Sequence, residues 1–200
     1  KMIGVIKMDG YGHGAAQIAK YVMEEKDYIW GYAAATPDEA ALLRKKGIQK
    51  PILVLGCTFP EQRDEMIRQE IRMTCYTEEM ARDVSERAGR LGKTAYIHIK
   101  LDTGMSRLGF LISEESADAI ARAAGLPGIE AEGMFTHFSK ADETDKAFTR
   151  GQMEKYLWMK ARLADRGVAF KLCHCSNSAG IIDMPEAAMD LVRAGIAMYG

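Results

Sequence analysis

Val5-Ile6-Lys7-Met8-Asp9-Gly10-Tyr11-Gly12-His13-Gly14 closes a short apolar run, Met2 to Ile6, with a lysine and a turn that holds three glycines. The apolar run reads as a buried strand, so Lys7 is delivered at its carboxyl end. An ammonium there must reach water or be consumed chemically. An amine in an apolar, partly desolvated place loses affinity for its proton and becomes nucleophilic toward an aldehyde. The alternative is a strand-end lysine that buries its stem and snorkels its charge to solvent.

Working outward, strand-like runs alternate with amphipathic helical stretches eight times. The strand candidates are Met2–Met8, Ile29–Ala34, Pro51–Leu55, Ile71–Cys75, Ala95–Leu101, Ala131–Thr136, Ala169–His174 and Asp190–Met198. Thr36-Pro37-Asp38-Glu39 reads as an N-cap, a proline at the first helical position and a glutamate closing a capping box. Thr77-Glu78-Glu79 and Ser113-Glu114-Glu115 are similar starts, and Gly47, Gly92 and Gly125 sit where helices should stop. Eight β-then-α units predict an α/β fold, either a closed (β/α)8 TIM barrel or a doubly wound open sheet. The count of eight and the lack of a dinucleotide fingerprint after the first strand favour the barrel. So does the placement of Lys7, Lys100 to Asp102, Thr136-His137, Asn177-Ser178 and Arg193 at or just past strand ends, which in a barrel converge on one mouth.

Composition narrows the function. The chain has 200 residues, 48% of them hydrophobic, and no apolar run approaches the roughly 20 residues of a membrane span. Lys plus Arg at 27 against Asp plus Glu at 28 leaves a net charge of −1 with the signs interspersed, so neither nucleic acid nor a membrane is an expected partner. Cys57, Cys75, Cys173 and Cys175 fall at strand-like positions without framework spacing, which suits a reducing cytoplasm. Cys173-His174-Cys175 invites a metal, but on a strand His174 points away from its two neighbours and the three cannot close on one ion.

Taken together the motifs resemble those of the bacterial alanine racemases. Val5 to Gly14 is similar to the family's lysine motif, and His98-Ile99-Lys100-Leu101-Asp102-Thr103-Gly104-Met105-Ser106-Arg107-Leu108-Gly109 to its central strand and loop. Glu132-Gly133-Met134-Phe135-Thr136-His137-Phe138 resembles the histidine motif, Cys175-Ser176-Asn177-Ser178-Ala179 the phosphate loop, and Val192-Arg193-Ala194-Gly195-Ile196 the last barrel strand. Ser139-Lys140 and the Cys-His-Cys strand depart from the pattern without touching a chemical role.

The resemblance implies a pyridoxal 5′-phosphate (PLP) barrel over residues 1–200, trimmed from a longer protein whose carboxyl-terminal β domain lies outside this chain. It implies that Lys7 carries the cofactor and acts as a base. Tyr11, Asn177, Ser178, Gly195 and Ile196 would hold its phosphate end, and Arg193 would face the pyridine nitrogen. His137 would lie beside the ring and help to hold Arg193, and Arg107 would reach the substrate carboxylate or the phenolic oxygen. Lys100 is carbamylated in some members; an ion pair with Asp102 is the plain alternative, as an ion pair with Asp190 is for Arg193. The expected activity is interconversion of L- and D-alanine for the cell wall by a cytoplasmic homodimer, with the barrel alone inactive for want of a second base. Serine racemisation, a PLP carrier without turnover, and a barrel with no cofactor are the competing readings.

Overall fold

In the computed structural model, which describes residues 1–200, eight parallel strands follow one another around a single sheet in the order β7-β6-β5-β4-β3-β2-β1-β8. They are β1 Met2–Val5, β2 Ile29–Ala34, β3 Ile52–Val54, β4 Arg72–Cys75, β5 Ala95–Lys100, β6 Ile129–Phe135, β7 Leu172–His174 and β8 Val192–Ala194. The two ends of the sheet meet where Leu191 N–H donates to Cys173 O at 3.2 Å and Arg193 N–H to Ser176 O at 3.0 Å. The sheet is thus a nearly closed (β/α)8 barrel, and every strand runs toward the same mouth.

The connecting helices begin where side chains supply the missing backbone acceptors. Thr36, Thr77, Ser113 and Asn177 each accept an N–H from the first turn of the helices Pro37–Lys45, Glu78–Leu91, Glu114–Ala124 and Ser178–Asp183. Gly92 stops its helix in the left-handed conformation, whereas Gly125 stops one with an ordinary φ of −88°. Between strands and helices lies a cluster of 39 buried apolar residues. A second cluster, Ile3, Val5, Ala33, Leu53 and Leu191, fills the barrel interior on the β1–β3 side. No helix is long and apolar enough to cross a membrane.

Several strand boundaries differ from expectation: β6 begins two residues early at Ile129, β7 three residues late at Leu172 and β8 two residues late at Val192, and two strands stop well short at their carboxyl ends. The first strand ends at Val5 rather than Met8, because the chain turns sharply after Ile6. The last ends at Ala194 rather than Met198, because Gly195 turns the chain (φ −123°, ψ −109°) into a 3-10 turn, Ile196–Met198. Cys57 is not on a strand: it lies half-buried in the loop after β3 with Sγ 2.8 Å from Tyr76 Oη.

Candidate active site

At the carboxyl ends of the strands a cavity of ≈ 550 Å³ opens, within the range of small-molecule sites. Lys7, Tyr11, Lys100, Arg107, His137, Asn177, Ser178, Arg193, Gly195 and Ile196 all border it. Sequence positions nearly two hundred apart therefore meet in one place.

Lys7 opens a turn of unusual hand. Met8, Asp9, Gly10, Tyr11 and Gly12 have φ of 53°, 52°, 63°, 52° and 86°, a run of five left-handed residues of which only two are glycine. A side chain in that region costs about 1–2 kcal/mol per residue. The run is held by Gly10 N–H to Ile6 O, Gly12 N–H to Met8 O and Gly14 N–H to Asp9 O, and by Ala15 N–H donating to the Asp9 carboxylate at 2.8 Å. Lys7 Nζ stands 5.8 Å from the centroid of the Tyr11 ring and has no hydrogen-bond or ion-pair partner in the protein.

Arg193 is the opposite case. It is 3% exposed, and Nη1 donates to His174 Nδ1 at 2.7 Å and His174 O at 3.1 Å. Nη2 donates to Thr136 O at 2.7 Å, Cys175 O at 2.9 Å and, at 3.4 Å, His137 Nδ1. Only Nε is left without a protein partner. Asp190 is not its counter-ion, because that carboxylate accepts Cys173 N–H at 2.8 Å.

Because a guanidinium can only donate, His174 Nδ1 must be bare and its proton must sit on Nε2. That nitrogen is 3.0 Å from His98 Nδ1, which therefore accepts, so His98 carries its own proton on Nε2 and donates it to Glu132 at 3.3 Å. Arg72 closes the chain by donating to the same carboxylate at 3.0 Å. Burial and then the charge of Arg193 hold His174 neutral well below its ordinary pKa. Burial would raise the Glu132 pKa, but the bonds from His98 and Arg72 outweigh it and hold it at about 2. A Cβ at residue 133 would come within 2.5 Å of His98 Nδ1, so only glycine leaves that ring its place.

The remaining residues divide by what they still have free. Ser178 Oγ accepts Gly195 N–H at 3.0 Å and Ala197 N–H at 3.3 Å, and a Cβ on Gly195 would lie 2.8 Å from Tyr11 Oη. Asn177 borders the cavity with both polar ends engaged, Oδ1 accepting Gly180 N–H and Nδ2 donating to Phe138 O. Burial and then Arg193 push His137 down to about 3. Lys100 makes no ion pair with Asp102: its Nζ donates to Leu101 O at 2.7 Å and Leu108 O at 3.2 Å. Asp102 instead accepts the backbone N–H groups of Gly104, Ser106 and Arg107, fixing the loop that presents the exposed Arg107 side chain. Burial, followed by Arg193, lowers the Lys100 pKa to about 8.

A family model described as "Alanine racemase, N-terminal domain" matches residues 1–200. The chain belongs to the alanine racemase family. It is 45% identical over 200 residues to an alanine racemase of Clostridium tetani, covering 100% of this chain and 51% of that protein. It superposes with a TM-score of 0.97 and 44% identity on the alanine racemase of Clostridium difficile 630 in complex with cycloserine, covering 100% of this chain and 54% of that one. The alanine racemase of Bacillus anthracis with bound L-Ala-P superposes with a TM-score of 0.92 at 31% identity, again over 100% of this chain and 51% of that one. The chain spans about half the length of the curated relatives it matches.

Within this barrel the sequence reading missed His174 as a site residue and the Glu132–Arg72 end of the chain below it. The alternation through β7 and the residue after it carried the signal for His174, since Cys173 and Cys175 go to the outer core and His174 inward.

Proposed function

We propose that these residues are the cofactor-bearing barrel of an alanine racemase, with PLP as cofactor and a small amino acid as substrate. One observation carries the reading: the same cavity holds an amine without a partner, at Lys7, and a buried guanidinium, at Arg193, whose Nε alone is uncommitted. The donor set fits PLP. Lys7 supplies the primary amine that an aldehyde takes. Tyr11 Oη and Ser178 Oγ, with the backbone of Gly195 and Ile196, border a corner that a Cβ at Gly195 would crowd, after strands seven and eight where such barrels bind phosphate. Asn177, capping the next helix, shapes that corner through backbone placement. When bound, the cofactor joins the substrate nitrogen to an electron-withdrawing ring and so acidifies the α-carbon.

The protein's part is positioning and proton movement. Arg193, its Nε uncommitted, would hold the ring nitrogen and, being unable to give up its proton, would keep that nitrogen an acceptor. Proton transfer would then depend on placed bases. His137, kept neutral, adds no second charge beside Arg193. Arg107 offers a planar fork to a carboxylate or phenolic oxygen. Lys100, with a pKa of about 8, keeps a reactive share of free amine near neutrality, and a carbamate formed there from carbon dioxide, with loss of one proton, would set an anion among Arg107 and Arg193.

Lys7 Nζ takes or returns the α-proton on one face only, and racemisation needs a second acid/base on the other. Tyr11 is assigned to phosphate and Tyr199 Oη donates to Val5 O, so neither is offered for that role; the family resemblance implies that the group comes from the carboxyl-terminal domain of a homodimer's other subunit. D-Alanine for peptidoglycan, made in the cytoplasm, is the setting this reading gives the enzyme. The names of the relatives favour alanine over serine, and an enzyme over a PLP carrier. Exchange of the alanine α-proton in deuterated water tests the reading. The full-length protein with PLP should racemise L-alanine, and the barrel alone should be slower by about 10²–10⁴-fold. Equal rates would put the second base inside the barrel.

A further inference from the structure

Glu39 lies outside the cavity, on the first turn of the helix Pro37–Lys45, and no step above uses it. Its carboxylate does not close the expected capping box onto the Thr36 N–H. It reaches away from its own helix: Oε1 accepts Met8 N–H at 2.9 Å and Oε2 accepts Ala35 N–H at 2.8 Å. Those amides follow β1 and β2, so a single side chain ties the carboxyl ends of two neighbouring strands. The other hydrogen bonds of the left-handed run Met8–Gly12 stay within residues 6–15. The bond from Glu39 is the one that reaches the run from another element, and it lands on the residue directly after Lys7.

We propose that Glu39 is a positioning residue for Lys7, its carboxylate fixing the Lys7–Met8 peptide so that the turn keeps its left hand and Nζ keeps its place in the mouth. Bonds from N–H to an ionised carboxylate belong to the stronger class, and a carboxylate in the first turn of a helix is favoured by the helix dipole. A glutamine could not replace it fully. Its one carbonyl oxygen serves a single N–H, and its NH₂ would face the other.

The proposal rests on Lys7 being the cofactor lysine, and its test separates the two. Glu39→Ala, Glu39→Gln and Thr36→Ala are made in the full-length protein. Thr36 caps the same helix by accepting Glu39 N–H at 3.3 Å, so Thr36→Ala loosens that helix start without touching Met8 N–H. The first readout, hydrogen exchange of the segment Lys7–Gly10, is taken without cofactor. Glu39→Ala should speed it by on the order of tenfold to a hundredfold, and Thr36→Ala by no more than about twofold. The second is the PLP dissociation constant. Glu39→Ala should raise it by roughly tenfold or more, Glu39→Gln should fall between, and Thr36→Ala should leave it unchanged. Equal effects of Glu39→Ala and Thr36→Ala on both readouts, or unaltered exchange in Glu39→Ala, would overturn the proposal. A wild-type protein that takes up no PLP would sink the function reading instead, and exchange that still responds to Glu39→Ala alone would uphold the clamp.

Discussion

At the mouth, Lys7 Nζ and the Arg107 guanidinium make no hydrogen bond to the protein, whereas one layer down Arg193 donates five and begins a directed chain through His174 and His98 that ends on the Glu132 carboxylate, where Arg72 also donates. Both layers are cationic, and they are held differently. The mouth cations are fixed through their backbones: Glu39 accepts the amide after Lys7, and Asp102 accepts the amide of Arg107. Their side chains stay free for a ligand. The interior cation is fixed through its side chain, and its single free nitrogen is aimed by what the others hold. A site of this kind keeps its reacting groups under-partnered and its support fully partnered.

Replacing the interior cation should therefore have the largest effect on stability. Arg193→Glu sets an acceptor against the carbonyl oxygens of Thr136, His174 and Cys175, and should cost on the order of 3–5 kcal/mol in urea unfolding of the full-length protein. A loss below about 1 kcal/mol would erase the difference between the two layers.

Acid should break the interior next. Glu132, held at about 2 against 4.5 for a free glutamate, contributes stability that is complete above about 4.5 and lost as pH falls toward 2. His98, His137 and His174 lie below the ordinary 6.5, so protonation of the unfolded chain draws stability away as pH drops below that value. Unfolding free energy should thus decline from pH 6.5 downward, and His137→Gln should remove about one proton's share of the slope, ~1.4 kcal/mol per pH unit. A flat profile between pH 6.5 and 4 would mean these rings are already charged in the fold.

Substitutions at the mouth should be read in binding rather than in stability. Ser178→Ala should weaken PLP binding by about 1–3 kcal/mol, measured by absorbance titration, and an unchanged affinity would remove Ser178 from the phosphate corner. Lys7→Ala should be smallest for stability, within about 0.5 kcal/mol, while abolishing covalent attachment. A large loss of stability there would mean that Lys7 carries a structural contact after all.

Much of the mouth was legible because strand ends in a barrel converge, so Lys7, His137, Ser178 and Arg193 could be gathered from position alone. The interior was not. The partners of Arg193 and His98 depend on which strands are neighbours and on the β-bulge at Ile97/His98 that pairs His98 with Gly133, and no local pattern encodes that. Glu39 was misjudged for a related reason: a capping box is a local rule, and the acceptor-seeking amides of Met8 and Ala35 lie on other segments. Asp102 likewise looked like a partner for Lys100 until the loop's own N–H groups claimed it.

The central claim is that the unpartnered amine at the mouth is the cofactor lysine. Lys100 is the competitor, a buried amine bordering the same cavity with its pKa lowered to about 8. Borohydride reduction of the PLP-loaded full-length protein, followed by peptide mapping in a mass spectrometer, decides between them. The account expects the reduced pyridoxyl label on Lys7 and on no other residue of this chain; label on Lys100, or none at all, would contradict it.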